Sequence, residues 1–325
     1  MKYLTRMGWA VLMIFLVASL TFFLVRIMPG NPIQVKLAQL EYQGLNLQQA
    51  AQQVRAMYNI MPNAPLSTQY LGYLGGLLHG NLGQSITYTG EPVLGVIMTA
   101  LPWTVFMVTA GLLISFVIGV VLGVWAAMRR NRAPDTAVTT VSTFLHGIPQ
   151  YMSGLALAYV FTTIWPIFPF GAPYNAEIRP GFTIAFIGSV LYHAILPVFS
   201  YVLAGFGAWA LSMKAATVGA LGEDYIMAAN VRGLEPNRVF SYVGRNAILP
   251  VFTQFALAIG FMFSGSVFIE TIFDLPGLGQ MIGNAVGSRD YPLMQGVFLI
   301  VSIAVIAANL LADWIYGLLD PRIQA

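Results

Sequence analysis

Six blocks of the chain are almost wholly apolar, at about 7–25, 98–128, 137–164, 182–213, 248–273 and 293–319. Each is near or above the roughly 20 apolar residues that a helix needs to cross hydrocarbon. The pattern predicts an all-α integral membrane protein with about six transmembrane helices. Pro149, Pro166, Pro169 and Pro197 interrupt the third and fourth blocks, where kinks or a re-entrant piece are expected. The first block follows Lys2 and Arg6 and ends at Arg26, with no small-x-small cleavage site before Pro29-Gly30. It reads as a retained helix rather than a cleaved signal, with Arg26 snorkelling to the far interface.

The polar segments organise the rest. Residues 29–96 are too polar to span, Gln-rich around 47–54, and carry Pro62, Pro65 and Pro92. They predict an extramembrane loop or small subdomain, helical near 46–58. The expected division is a first helix (1–28), an extracytoplasmic segment (29–96) and a five-helix core (97–325) with a cytoplasmic loop at 214–247. One set of helix ends carries Lys2 and Arg6, then Arg129, Arg130 and Arg132, then Lys214, Arg232, Arg238 and Arg245, then Arg322. The opposite set has Arg26, Lys36, Arg55, Arg179 and Arg289 over longer loops. The positive-inside rule puts the first set, and both termini, in the cytoplasm. Gly119 and Gly123, and Gly205 and Gly207 with Ala204 and Ala208, are small residues of the kind that let membrane helices pack closely.

Composition removes whole classes of function. Only 8% of residues are charged and 58% are hydrophobic, against about 25% charged in soluble domains. The net charge of +3 comes without a basic patch interleaved with exposed aromatics, so nucleic acid is not an expected partner. With no cysteine there is no disulfide, thiolate zinc site or Cys nucleophile. The three lysines, Lys2, Lys36 and Lys214, follow Met1, Val35 and Met213, so no Gly-Lys-Ser/Thr phosphate loop exists. There is no HExxH or GxSxG, and the three histidines are scattered. The chain is not expected to be an enzyme, to bind a metal or to hold a cofactor of its own. The blocks hold almost no ionisable side chain: Asp313 lies within two turns of a cytoplasmic end, and His146 and His193 read as interior or interfacial histidines. Charge at mid-membrane depth persists where it has a role. Its scarcity leaves no evident coupling to an ion gradient, so energy for active transport would come from another chain.

The cytoplasmic stretch from Glu223 to Arg238 predicts helix–turn–helix. Glu223 and Asp224 suit a helix start and Arg232 its end. Gly233 suits a left-handed C-terminal residue, and Pro236 can open the next helix. Ala228 and Ala229 leave a small-residue surface. The residues alone fit either a docking surface or an ordinary amphipathic hairpin.

Met227-Ala228-Ala229, Gly233 and Leu249-Pro250 resemble the EAA loop of ABC importer permeases, with Met227 in the place of Glu. The longer spacing, with Arg245-Asn246-Ala247 before Leu-Pro, is similar to the dipeptide/oligopeptide branch. So are Arg26-Ile27-Met28-Pro29-Gly30-Asn31-Pro32, Pro65-Leu66, Gln69-Tyr70 and Gly80-Asn81-Leu82-Gly83-Gln84-Ser85. Further matches are Glu270-Thr271-Ile272-Phe273, Pro276-Gly277-Leu278-Gly279, Arg289-Asp290-Tyr291-Pro292 and Asp320-Pro321-Arg322. The resemblance implies the type I importer (MetI-like) fold and a multi-pass protein of the cell membrane. It implies a second permease subunit, two ABC ATPase subunits that bind ATP and magnesium, and an extracytoplasmic solute-binding protein. Tyr225, Ala228, Ala229, Arg232, Gly233 and Leu234 would seat on an ATPase. Peptides are the implied substrate, with oligosaccharide or nickel chelate as alternatives; the rival class is an ion-coupled transporter or channel. Glu270, Pro276, Gly277, Gly279 and Asp290 are expected in an outer-face loop or gate of irregular backbone. Asn309, Asp313 and Tyr316, four and three apart, share one polar face of the last helix.

Overall fold

The computed structural model describes residues 2–27, 32–58, 65–88 and 90–319; side chains are described except at 2–4, 26, 32–35, 39, 56–58, 230, 236–237, 256, 259–265 and 311–319. The helices in order are α1 (Lys2–Ile27), α2 (Pro32–Tyr42), α3 (Leu47–Tyr58), α4 (Leu66–Leu78), α5 (Val93–Met128), α6 (Ala133–His146) and α7 (Gln150–Ala158). After a π-helical turn at Tyr159–Ile164 come α8 (Ile184–Leu221), α9 (Asp224–Val231), α10 (Pro236–Ile272), α11 (Leu278–Ser288) and α12 (Tyr291–Leu319). Among the described residues the β structure is one isolated bridge, Gln84 with Pro92. Thr5–Val25, Val93–Met128, Ile184–Leu221 and Tyr291–Leu310 are long and apolar enough to span, so the protein is an all-α membrane protein.

Proline explains why the third apolar block is broken while others are not. α6 ends at Gly147, Pro149 has extended backbone (φ −58°, ψ 139°), and α7 starts at Gln150. Proline cannot donate to the helix ladder and pushes the preceding residue out of helical conformation. At the far end Trp165 donates to the Val160 carbonyl at 2.8 Å, an i→i+5 bond, and Pro166 follows. Pro197, by contrast, stays inside the continuous α8. Residues 32–78 hold three helices rather than one near 46–58. α3 begins on a reciprocal cap: Gln49 N–H donates to Asn46 Oδ1 (2.8 Å) and Asn46 N–H to Gln49 Oε1 (3.3 Å).

The chain forms two compact units, one of residues 1–104 and 276–307, the other of 105–275 and 308–325. In the first, Val93, Ile97, Leu278, Ala285, Leu293 and Val297 make the main core. α4 lies on α1: Phe22 packs edge-on to Tyr70, and Ser19 Oγ and Tyr70 OH share a 2.6 Å hydrogen bond. In the second, glycines set the register of α5 on α8. Gly111 meets Tyr201, Gly119 meets Trp209 and Gly123 meets Met213, so the two helices run parallel with constant offset. A Cβ on Gly123 would stand 2.5 Å from the Ala210 carbonyl oxygen. α6 runs the other way along α8, with Gly207 against the Ser142 backbone. The packing roles expected of Gly119, Gly123 and Gly207 are therefore physical: no side chain fits.

Candidate functional site

The hairpin around α9 is built by its own backbone chemistry. Glu223 starts α9, its carbonyl accepting from Ile226 N–H (3.0 Å) and Met227 N–H (3.3 Å), and Asp224 sits in the first turn. Gly233 has φ +69°, with open space around it. That left-handed residue lets Leu234 N–H reach back to the Ala229 carbonyl (3.2 Å), closing the helix end. Pro236 then opens α10 at its first turn. Ile226 is buried, and Ala229 and Leu234 pack half-buried beside Ala220, Val239 and Val243. The opposite face carries Tyr225, Ala228, Arg232 and Gly233, all exposed. Six expected residues thus divide into four that face outward and two, Ala229 and Leu234, that hold α9 to its base. Met227 (66% exposed) and Val231 (84%) were missed as site residues. They stand four apart on the outward face, and the signal was available: large apolar side chains opposite a buried Ile226.

Residues 276–292 belong to the first unit and are mostly helical rather than irregular. Gly277 precedes α11, where Leu278, Met281 and Ala285 recur at helical spacing and are buried. Leu278 N–H donates to Thr104 Oγ1 at 2.8 Å, and Gly279 is buried while Pro276 is exposed. Irregular backbone flanks α11 on both sides: at 273–277, where Asp274 is left-handed (φ 48°), and at the joint with α12, where Arg289 is (φ 56°). There Asp290 is fully buried. Its Oδ2 accepts from Ser85 Oγ (2.5 Å), Ile86 N–H (2.7 Å) and Thr87 N–H (2.8 Å), and its Oδ1 from Leu293 N–H (3.1 Å). One carboxylate thereby caps α12 and holds the 85–87 turn, assisted by a 2.7 Å bond between Thr87 Oγ1 and Ser288 Oγ. Glu270 belongs to the second unit. It sits two residues before the end of α10, is 1% exposed, and lies within electrostatic reach of Tyr201.

On α12, Asn309 Oδ1 is buried with no hydrogen-bond partner among the described residues; the side chains of Asp313 and Tyr316 lie outside them. Beside the α6–α7 break, Leu145, Gly147, Pro149, Met152, Phe161 and Leu203 line an apolar cavity of about 540 Å³. It offers dispersion contact and almost no polar atom.

One polar cluster was not anticipated. Lys214 on α8 forms an ion pair with Asp135 in the first turn of α6. Lys214 Nζ donates to Thr139 Oγ1 (2.7 Å), Thr139 Oγ1 in turn to Asp135 Oδ1 (3.4 Å), and Asn131 N–H to Asp135 Oδ2 (3.0 Å). The Lys214 hydrogen bond, then that of Asn131, hold the Asp135 carboxyl below its ordinary range, against the opposing effect of burial. Both charges lie at the ends of apolar blocks, 79 positions apart, so sequence alone does not pair them.

Comparison with known proteins bears on what these elements serve. A family described as the inner membrane component of binding-protein-dependent transport systems matches residues 119–325. The chain is 34% identical over 334 residues to the "Di/tripeptide transport system permease protein DppB" of Pseudomonas aeruginosa, covering 98% of this chain and 97% of that one. It is 32% identical over 315 residues to the "Oligopeptide transport system permease protein AppB" of Bacillus subtilis, covering 95% and 94%. With the "Dipeptide transport system permease protein DppB" of Escherichia coli it shares 28% identity over 339 residues, covering 99% and 98%.

Proposed function

The chain belongs to the family of binding-protein-dependent transport system inner membrane components, and from that membership we propose that it carries short peptides across the membrane as one permease subunit of an ATP-driven importer. It is a multi-pass inner-membrane protein and an ABC transporter permease. Relatives that cover nearly all of it are named for dipeptide, di/tripeptide and oligopeptide transport, which supports peptide as the cargo. Family membership implies ATPase and solute-binding partners. Two permease chains form the pathway and two ATPase chains, which bind ATP and magnesium, supply the work.

The observation that carries the reading is α9. A free-standing hairpin has no reason to present Tyr225, Met227 and Val231 to water, while a hairpin received by another protein does. Ile226 and Leu234 anchor α9 to the base of α8 and α10, so a force on its outward face reaches both helices. ATP drives the change only by favouring one conformation over the other in the assembled complex. Tyr225, Ala228, Arg232 and Gly233 make the contact, and Ala229 and Leu234 fix its angle. Detergent extraction of the tagged chain from its native membrane tests this. An ATPase bearing a phosphate loop is expected to copurify, and to be lost when Met227 and Val231 are both changed to Asp. Recovery of the chain with no such partner contradicts the proposal.

A further inference from the structure

We propose that the Lys214–Asp135 ion pair is a positioning strut that makes α6 move with α8 when the hairpin is displaced. This rests on the importer reading above and goes beyond it. The antiparallel α6 and α8 pack extensively on one another, and two contacts within that interface are specific. One is the close approach of Gly207 to Ser142, where a Cβ would stand 2.5 Å from the Ser142 carbonyl oxygen. The other is the ion pair. Asp135 lies seven residues before Ser142, and Lys214 seven residues after Gly207. Seven helical residues rise about 10.5 Å, so the same span separates the two contacts on both helices. Packing holds the two helices together, and the ion pair adds a directed contact that fixes their register at the start of α6.

The chemistry of the second contact matters. A partly buried ion pair is a poor way to gain stability, because desolvation offsets attraction. Apolar side chains would hold two membrane-level helices together as well. What charge and directed hydrogen bonds add is register, since the pair forms at one axial position only. Here Lys214 of α8 meets two groups of α6, Thr139 Oγ1 and the Asp135 carboxylate, and the Asn131 N–H holds that carboxylate from the turn closed by Arg132 N–H on the Arg129 carbonyl. The same level of α8 is held on its other side by α5, where a Cβ on Gly123 would stand 3.0 Å from Lys214 N.

The strut joins the two features at either end of this assembly. Lys214 precedes the end of α8 by seven residues, and Ala220 there packs in one core cluster with Ile226 of α9. α6 leads in the other direction to the Gly147–Pro149 break and the apolar cavity. Displacement of α9 passes to α8, and the ion pair carries it to the start of α6, beside the direct packing of α7 on α8. Spatial continuity alone does not prove such coupling, so the experiment must read coupling itself.

The chain contains no cysteine, so Thr140→Cys and Ala215→Cys, at exposed positions on α6 and α8, accept two spin labels without other changes. In the assembled importer in proteoliposomes the label distance is expected to be single and narrow, both without nucleotide and with ATP bound. Lys214→Met should broaden it and lower uptake per ATP hydrolysed by about tenfold, the scale of one charge-assisted hydrogen bond. Lys214→Arg should restore both, and Asp135→Asn should repeat the Met effect. An unchanged distance and unchanged uptake per ATP in Lys214→Met overturn the proposal. So does a loss of assembled complex with uptake per ATP intact, the signature of a merely structural pair. A native chain with no ATP-driven uptake would instead overturn the importer reading beneath it.

Discussion

Asp290 shows how much one side chain can organise here. Its carboxylate receives four hydrogen bonds and is 0% exposed. Deleting it leaves the Ile86 and Thr87 N–H groups facing a cavity, at a cost of about 1–3 kcal/mol for each donor that water does not reach. Asp290→Ala is therefore expected to lower the thermal unfolding midpoint of the purified protein and to make the 85–88 turn sensitive to protease. Asp290→Asn, which keeps one acceptor oxygen, should fall between. A variant with native stability and native proteolysis would show that the turn is held elsewhere. The type of residue was legible from the sequence, where Arg289-Asp290-Tyr291-Pro292 stood out as a unit; its role was not. The Ser85 partner is 205 positions away, and nothing local indicates that an acid before a helix caps it and also holds a distant turn. The hairpin was the opposite case. Gly233, Pro236 and the acids at 223–224 act within a few residues of themselves, so their conformations follow from local rules, and the structure has Gly233 left-handed as expected.

Helices in this protein are set by two different causes. Their existence follows from apolar length, which is why the blocks near 7–25, 98–128, 182–213 and 293–319 correspond to α1, α5, α8 and α12. Their ends follow from capping and proline, and these shift the limits: α8 runs on to Leu221 and α10 begins at Pro236, well outside the apolar blocks. Amphipathic segments are harder to read. α11 is an 11-residue helix in a stretch whose Pro and Gly residues suggested irregular backbone, because the buried face of Leu278, Met281 and Ala285 outweighs them. Helix pairing rests on the glycines. Gly207→Leu would place side-chain atoms where the Ser142 carbonyl now lies, forcing α6 and α8 apart. Overpacking of this kind costs about 1–3 kcal/mol. Denaturant or thermal unfolding in detergent should show it, and Gly219→Leu, whose Cβ meets nothing within 4 Å, serves as the control. Equal stability of the two variants would show that α6 is free to withdraw from α8.

At the scale of the whole molecule, the chain is one component of a larger machine. Its sequence lacks a phosphate loop, its family is that of binding-protein-dependent transport, and its hairpin displays apolar residues outward on a helix fixed to α8 and α10. Together they support the proposed permease that receives force at α9. Gly233 is the residue on which that can be tested with least disturbance elsewhere, since it is exposed, left-handed and surrounded by open space. A side chain there costs about 1–2 kcal/mol in backbone strain and an aspartate adds charge at the proposed docking face. The direct measurement is uptake of a labelled dipeptide into proteoliposomes holding the complete importer, native or Gly233→Asp. The native complex should accumulate peptide only with ATP and the binding protein, and the variant should insert normally yet transport at about a tenth of that rate or less. Native-level uptake by Gly233→Asp, or uptake by the native chain without any ATPase partner, would contradict it.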